Sequence, residues 1–109
     1  PNTADHFSAT NQGRSIGLSA ITALSDHEFL VLERDNRGLG VEPTATPLHK
    51  RVYRIDIRGA SDVSGVSLAG AAQLPAGVTP VAKREEVDLL AALKAVGSDV
   101  PEKLEGMAI

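Results

Sequence analysis

Hydrophobic and polar residues alternate along the first half of the chain in a manner that predicts β-strands. Residues 14–24 carry half-alternating apolar positions, typical of a strand with a bulge or kink at Gly17. Residues 25–28 form a polar, turn-like stretch, and residues 28–34 (EFLVLER) follow as an apolar run suited to a buried, pleated surface. Together these segments predict a β-hairpin.

The clearest alternation lies in residues 50–58, which predict a third strand. One face of this strand would carry the apolar residues Tyr53, Ile55 and Ile57, and the other the charged residues Arg54, Asp56 and Arg58. The connection before it, residues 35–49, contains Gly and Pro breaks and is longer than the usual connection of about 4–6 residues. Long ordered loops often carry function, so this loop is a candidate for a functional segment.

The second half of the chain predicts a loop, a strand, a helix and a further strand. Residues 59–80 are rich in small residues and Pro, whereas residues 81–87 predict an outer, solvated strand. Residues 88–96 begin with Asp, a favoured N-cap, and place Leu and Val at helical spacings. Gly97 follows where a C′ residue takes a positive φ. The apolar residues 104–109 predict the beginning of another strand.

The order of these elements predicts a mainly β fold, an antiparallel meander with one short helix near residues 88–96. Four antiparallel strands and the beginning of a fifth are the content of one β-propeller blade plus the inner strand of the next. Residues 105–109 also echo residues 17–21, with Ala and Ile at the last two positions of each. We expect residues 1–13 to be an irregular lead-in and residues 14–109 to form one partial propeller domain of a longer protein.

Composition narrows the classes of function. The chain of 109 residues is 42% hydrophobic, enough for a modest core in one small domain, but only 3% aromatic. Its 11 basic and 14 acidic residues are interspersed without a basic run, which argues against nucleic-acid binding. No apolar stretch approaches the ~20 residues that span a bilayer, so we expect no membrane span. The absence of Cys removes disulfides, zinc–thiolate ligands and a Cys nucleophile.

Polar residues crowd the end of the second predicted strand. Because side chains alternate along a strand, Glu33 and Asp35 should point to one side and Arg34 to the other. Two carboxylates beside backbone carbonyls are hard oxygen ligands of the kind that Ca²⁺ prefers, and a metal-bound water could attack an ester. In the alternative interpretation, Glu33 pairs with Arg51 or Arg54 of the third strand while Asp35 begins an Asx-turn.

Other polar residues give weaker signals. His6, His27 and His49 lie in predicted loops without a shared spacing, so we interpret them as surface residues that form no nucleophilic triad. Ser19 does not lie in the Gly-x-Ser-x-Gly motif of a nucleophile elbow. Residues 83–86 (KREE) predict a solvated face, although Lys and Arg there could bind a substrate phosphate.

Three ordered stretches of the chain resemble the phytase-like esterase family. They are GLSAITALSDHEFLVLERDNRG at residues 17–38, KRVYRIDIRGASDVSGV at residues 50–66 and LEGMAI at residues 104–109. The points of resemblance are the opening Gly-Leu-Ser, a strand ending in Glu-Arg-Asp, the Lys-Arg-x-Tyr-Arg-Ile-Asp strand with its following Gly-Ala-x-Asp-Val, and a Glu-Gly motif. The ordered set carries the resemblance, since each short motif recurs elsewhere.

The resemblance implies a β-propeller of which this chain holds one blade and the beginning of the next. It further implies a periplasmic or secreted hydrolase that acts on a small-molecule phosphate or carboxylic ester, often with Ca²⁺ as cofactor. The remaining blades of the same protein would be the partners of this unit. Because those blades are missing here, we expect this fragment to be inactive alone.

Under this interpretation, the polar strand end and the Glu-Gly motif form the site. The predicted catalytic residues are Glu33, Arg34, Asp35 and Arg37, and the predicted metal ligands are Glu33, Asp35 and Glu105. Glu105 would lie at the beginning of an inner strand, beside the central channel where propeller ligand sites gather, and Gly106 would let a ligand approach closely.

Two other hypotheses stay open at this point. In the first, the propeller is a non-catalytic binding or scaffold module, and the Glu-Arg-Asp cluster is an ion pair that locks neighbouring blades. In the second, the chain is a small autonomous α+β domain.

Overall fold

A computed structural model describes residues 16–37, 46–68, 73–101 and 103–109. The described residues form a four-stranded sheet in the order β1-β2-β3-β4, and each neighbouring pair is antiparallel. The elements are β1 (Gly17–Ala23), β2 (Glu28–Arg34), β3 (Lys50–Asp56), β4 (Ala82–Asp88) and the helix α1 (Leu89–Ala95). This confirms the predicted mainly β meander with a short helix, which is consistent with part of a propeller blade. The predicted lead-in, residues 1–13, and the centre of the long loop, residues 38–45, lie outside the described residues.

The β1–β2 hairpin carries a bulge, at a different residue from the one predicted. The turn is closed by the Ser25 hydroxyl, which accepts the backbone N–H groups of His27 at 3.3 Å and Glu28 at 3.1 Å. The pairing register shifts between Leu18 and Ala20, so the extra residue lies between them, at position 19. The prediction of a kink at Gly17 is therefore wrong.

The core lies at the centre of β2 and β3. Its buried apolar side chains are Ile16, Val31, Leu32, Val52, Tyr53 and Val100. The predicted apolar face of the third strand is shorter than expected, because β3 ends at Asp56 and the next residue, Ile57, is 44% exposed. The chain turns here, since the N–H of Ala60 donates to the carbonyl of Ile57 at 3.1 Å.

The outer strand and the helix follow the prediction. Most of β4 is exposed, and α1 begins after Asp88, whose carboxylate accepts the N–H of Ala91 at 3.1 Å. Gly97 has a φ of 69° and its N–H donates to the carbonyl of Lys94 at 3.0 Å, which ends the helix. Within the described ranges, no helix is long and apolar enough to cross a membrane.

Residues 103–109, here called the C-terminal segment, lie along β1. The hydroxyl of Ser19 donates to the carbonyl of Leu104 at 2.9 Å, and that of Thr22 donates to the carbonyl of Met107 at 3.1 Å. Both contacts join residues 85 positions apart, so the segment runs parallel to β1. The strand predicted at residues 104–109 is not formed, because side chains of β1, rather than its backbone groups, make these hydrogen bonds.

Candidate functional site

Four buried polar side chains lie where β2 ends and β3 begins, and we call them the strand-end cluster. They are Glu33, which is 1% exposed, and Asp35, His49 and Lys50, which are fully buried. The antiparallel register explains why these four side chains lie together. Arg34 lies opposite Lys50, so the last residue of β2 and the first residue of β3 are at the same end of the sheet. Glu33, near the end of residues 28–34 (EFLVLER), is therefore buried instead of solvated.

Asp35 connects the two ends of the long loop. One carboxylate oxygen accepts the N–H groups of Leu48 at 2.7 Å and His49 at 3.0 Å, and the other accepts the N–H of Arg37 at 3.3 Å. The last contact is the Asx-turn of the alternative interpretation. The ammonium of Lys50 lies 2.8 Å from the Asp35 carboxylate and donates to the Asp35 carbonyl at 3.0 Å. The carboxylate is thereby matched by three N–H groups and one cation.

Glu33 is held between a histidine and a lysine. The imidazole Nε2 of His49 lies 3.2 Å from one carboxylate oxygen of Glu33, and the ammonium of Lys83 donates to the other. Lys83 belongs to β4 and reaches across β3, where its ammonium lies 4.0 Å from the centroid of the Tyr53 ring. Glu33 therefore contacts the residue that precedes β3 and a residue of β4.

The two arginines predicted as partners of Glu33 have other carboxylates beside them. Arg54 forms two hydrogen bonds of 2.9 Å with Glu28, and these lower the pKa of the Glu28 carboxyl. Arg51 lies 3.4 Å from Glu85. A cation that meets Glu33, the ammonium of Lys83, comes from β4, two strands away from β2.

Tyr53 forms the apolar wall beside Glu33. Its side chain is 3% exposed, and its ring stacks against His49 with 6.2 Å between the centroids and an interplanar angle of 19°. Burial raises the pKa of the Tyr53 hydroxyl, although its hydrogen bond with Arg51 acts in the opposite direction. The same bond raises the pKa of Arg51. The phenol therefore stays protonated at neutral pH.

Arg34 and Glu105 form a second, more accessible polar pair. The guanidinium of Arg34 lies 3.3 Å from the Glu105 carboxylate and also donates to the side chain of Asn36. Glu105 is 64% exposed and the Arg34 side chain is 14% exposed. The pair joins the end of β2 to the C-terminal segment, so the Glu-Arg-Asp and Glu-Gly motifs meet in space.

The structure thus divides the predicted site residues. Glu33 and Asp35 are buried against cationic partners, whereas Arg34 and Glu105 lie together nearer the solvent. Arg37 lies at the beginning of the loop, where its guanidinium donates to the carbonyl of Thr46 at 3.3 Å.

Sequence reasoning missed three members of this arrangement. The interpretation of His49 as a surface residue is wrong, because its side chain is fully buried against Glu33. Lys50 and Lys83 were not predicted to face the carboxylates. The available signal was positional: a His-Lys pair at the beginning of one strand lies level with a Glu-x-Asp at the end of an antiparallel neighbour.

Gly106 has a left-handed backbone conformation. Its φ is 88°, and a Cβ built on it would meet no atom of the described residues within 4 Å. The residue is therefore required by the left-handed conformation of the chain beside Glu105.

The residues present were compared with the requirements of calcium. Ca²⁺ takes about 6–8 oxygen ligands, whereas the described part of the chain contains no group of three or more His, Cys, Asp and Glu side chains that could hold a metal ion. The carboxylates of Glu33, Asp35 and Glu105 each face a cationic or imidazole partner. These residues alone do not compose a calcium site, and the calcium site stays a prediction.

The fold and the site define an antiparallel β-sheet unit with charged residues gathered at one end of two adjacent strands. A family model described as Phytase-like, esterase-like activity of phytase, matches residues 3–109. The chain therefore belongs to the phytase-like family of phosphatase- and esterase-like hydrolases, as its ordered motifs predicted. No curated protein and no solved structure matches the chain at a significant level.

Proposed function

We propose that this chain is part of a hydrolase that cleaves phosphate or related esters, with Arg34 and Glu105 as the groups nearest the substrate. The observation that carries this proposal is their contact at 3.3 Å, which joins two motifs 71 residues apart at an accessible position. A guanidinium offers paired donors to a phosphate or to a developing oxyanion. A carboxylate beside it is suited to proton transfer.

The buried cluster has a supporting role in this proposal. Asp35 fixes both ends of the long loop through its N–H contacts, and Glu33 is held by His49 and Lys83. These contacts fix the backbone on either side of Arg34 and thereby orient its guanidinium. Membership of the phytase-like family supports the hydrolase class and is also our reason for proposing further blades and a periplasmic or secreted location.

The test is an assay of the full-length protein that contains this chain. Phytate, p-nitrophenyl phosphate and p-nitrophenyl carboxylic esters are offered with added Ca²⁺ and with a calcium chelator. We expect turnover of at least one substrate and a loss of about 10²-fold in kcat/KM for Glu105→Gln. Glu86→Gln, on the solvated strand β4, is the matched control and should leave kcat/KM unchanged. Full activity of Glu105→Gln would contradict the assignment.

The same pair also favours a second candidate, a non-catalytic scaffold. Arg34 and Glu105 connect the sheet to the C-terminal segment, which the hydroxyl groups of Ser19 and Thr22 also hold. In a scaffold, Arg34→Ala would lower the melting temperature of the full-length protein without any change in ligand affinity or turnover. In the hydrolase, turnover falls at temperatures where the variant is still folded.

A further inference from the structure

Two arginines of this molecule hold a carboxylate on the side-on edge of the guanidinium, which is formed by Nε and Nη2. Arg54 donates from these two nitrogens to the two carboxylate oxygens of Glu28, each at 2.9 Å. Arg58 holds Asp56 in the same manner, with Nε 3.1 Å from one oxygen and Nη2 2.5 Å from the other. Two parallel donors that meet two oxygens of one anion are the strong form of a guanidinium contact.

The same edge of Arg34 is filled only in part. Nη2 donates to one oxygen of Glu105 at 3.3 Å, and Nη1 donates to the side chain of Asn36. Nε is buried, and no acceptor among the described residues lies within hydrogen-bonding distance of it. Because a buried donor without an acceptor costs free energy, an anion that supplies oxygens to both Nε and Nη2 would be favoured at this edge.

The charge of Arg34 is balanced by Glu105, the one carboxylate within ion-pair distance of it in the described part of the chain. The neighbouring carboxylates of Glu33 and Asp35 already face lysines of β4 and β3. The contact of Glu105 at 3.3 Å is longer than the paired 2.9 Å contacts of Arg54 and uses one oxygen. Glu105 is therefore weakly held, and its departure would leave the guanidinium as a cation without a carboxylate beside it.

We infer that Glu105 occupies the place of the substrate phosphate on Arg34 and is displaced by it, so that the substrate is a phosphate monoester. Two phosphate oxygens meet Nε and Nη2, as the Glu28 carboxylate meets Arg54. A neutral carboxylic ester offers one carbonyl oxygen and no charge, so it does not displace a carboxylate from a guanidinium. The inference rests on the assignment of Arg34 to the substrate site in the proposed function, and it makes Glu105 an internal competitor of the substrate.

The test measures the dissociation constant of inorganic phosphate by titration calorimetry of the full-length protein that contains this chain. We expect Glu105→Gln to bind phosphate about fivefold more tightly than the parent, because the competing charge is removed. Arg34→Lys keeps the charge but loses the paired donors, so its affinity for phosphate should fall more than tenfold. Asp62→Asn is the matched control for net charge, since Asp62 is exposed and its described hydrogen bonds come from Ser64, and it should bind phosphate like the parent.

The Nε signal of Arg34 in NMR spectra reports where the phosphate lies, and its absence in Arg34→Lys assigns it. Phosphate should shift this signal in the parent, because Nε gains an acceptor that the described residues do not supply. An unshifted signal at saturating phosphate would overturn the inference. So would an equal or lower affinity in Glu105→Gln, or an unchanged affinity in Arg34→Lys. Thermal unfolding verifies that each variant is folded, and Arg34→Gln replaces Arg34→Lys if that chain is unfolded.

Ester turnover is a separate measurement, so the two proposals can fail separately. If Glu105→Gln binds phosphate more tightly while the parent cleaves no ester, the phosphate site stands and the hydrolase proposal fails. If the parent cleaves esters while Glu105→Gln binds phosphate no more tightly, the hydrolase proposal stands and the displacement of Glu105 is wrong.

Discussion

The ammonium of Lys50 lies 2.8 Å from the carboxylate of Asp35, and both side chains are fully excluded from solvent. A buried ion pair of this kind contributes little net stability relative to apolar residues, but removal of one partner leaves an uncompensated charge. Asp35 also accepts three backbone N–H groups from the two ends of the long loop. The pair therefore determines where β2 ends and β3 begins.

Replacement of Asp35 tests this role. We expect Asp35→Ala to lower the free energy of unfolding by about 3–5 kcal/mol, because Lys50 is left buried and unmatched. Urea denaturation measures the change. Asp62→Ala is the control, since Asp62 is exposed and the hydrogen bonds described for it all come from Ser64, and it should cost about 1 kcal/mol or less. The double variant Asp35→Leu/Lys50→Met should recover part of the loss, whereas a loss equal to the sum of the single changes would contradict the pairing.

The contact of Lys83 with Glu33 gives a second prediction. Lys83→Met keeps the apolar stem over Tyr53 but leaves the buried Glu33 without its β4 cation. We expect a loss of about 1–3 kcal/mol in the free energy of unfolding, below the cost of breaking a fully buried pair because the Lys83 side chain is 24% exposed. Arg84→Met, on the same strand with a side chain that is 68% exposed, should change stability by no more than about 0.5 kcal/mol.

Tyrosine fluorescence adds an independent measurement for Lys83. The chain has one Tyr and no Trp, so its emission reports on Tyr53 alone. Because the ammonium lies 4.0 Å from the ring centroid, Lys83→Met should alter this emission in the folded state and not in urea. Unchanged emission in the folded variant would contradict the cation–π contact.

The pH dependence of stability should reveal the ion pair of Asp56 with Arg58. Hydrogen bonds from the Arg58 side chain lower the pKa of the Asp56 carboxyl from 3.8 to about 2. A folded-state pKa below the unfolded value means that the carboxylate stabilises the fold above about pH 4 and that this contribution is lost as the pH falls toward 2. The difference in unfolding free energy between the parent and Asp56→Asn should therefore be constant near neutral pH and shrink over that window.

A direct titration checks the same carboxyl. NMR of the Asp56 side chain should give a midpoint near 2 in the parent and a midpoint closer to 3.8 in Arg58→Met. Equal midpoints in the two chains would contradict the assigned cause.

Elements with local signals were predictable from the sequence. The helix α1 lies where its N-cap Asp88 and the following Gly97 indicated, because capping acts within a few residues. The bounds of β2 coincide with the apolar run of residues 28–34. The bulge near Ser19 was less predictable, since the register of pairing, rather than the presence of a glycine, determines its position.

The candidate site depends on contacts between strands, which the residue pattern of each strand alone does not specify. The burial of His49 requires the register that brings it level with Glu33, and the reach of Lys83 requires the order of β2, β3 and β4 in the sheet. Alternation predicts that Glu33 and Asp35 point to the same side of the strand, but it does not reveal whether a metal or a lysine neutralises a carboxylate. For this reason the sequence predicted the strand end and missed its cations.

The contact between Arg34 and Glu105 separates a hydrolase from a scaffold. Because Glu105 is 64% exposed, a double-mutant cycle of Arg34→Ala and Glu105→Ala in the full-length protein should give a coupling energy below about 1 kcal/mol. Arg34→Lys keeps the charge and loses the paired donors of the guanidinium, so a hydrolase should lose well over tenfold in kcat/KM at nearly unchanged stability. Arg84→Lys, on the solvated strand β4, is the matched control for Arg34→Lys and should change neither kcat/KM nor stability. Unchanged turnover in Arg34→Lys, together with a coupling energy well above 1 kcal/mol, would favour the scaffold, since the pair would then act on the fold and not on a substrate.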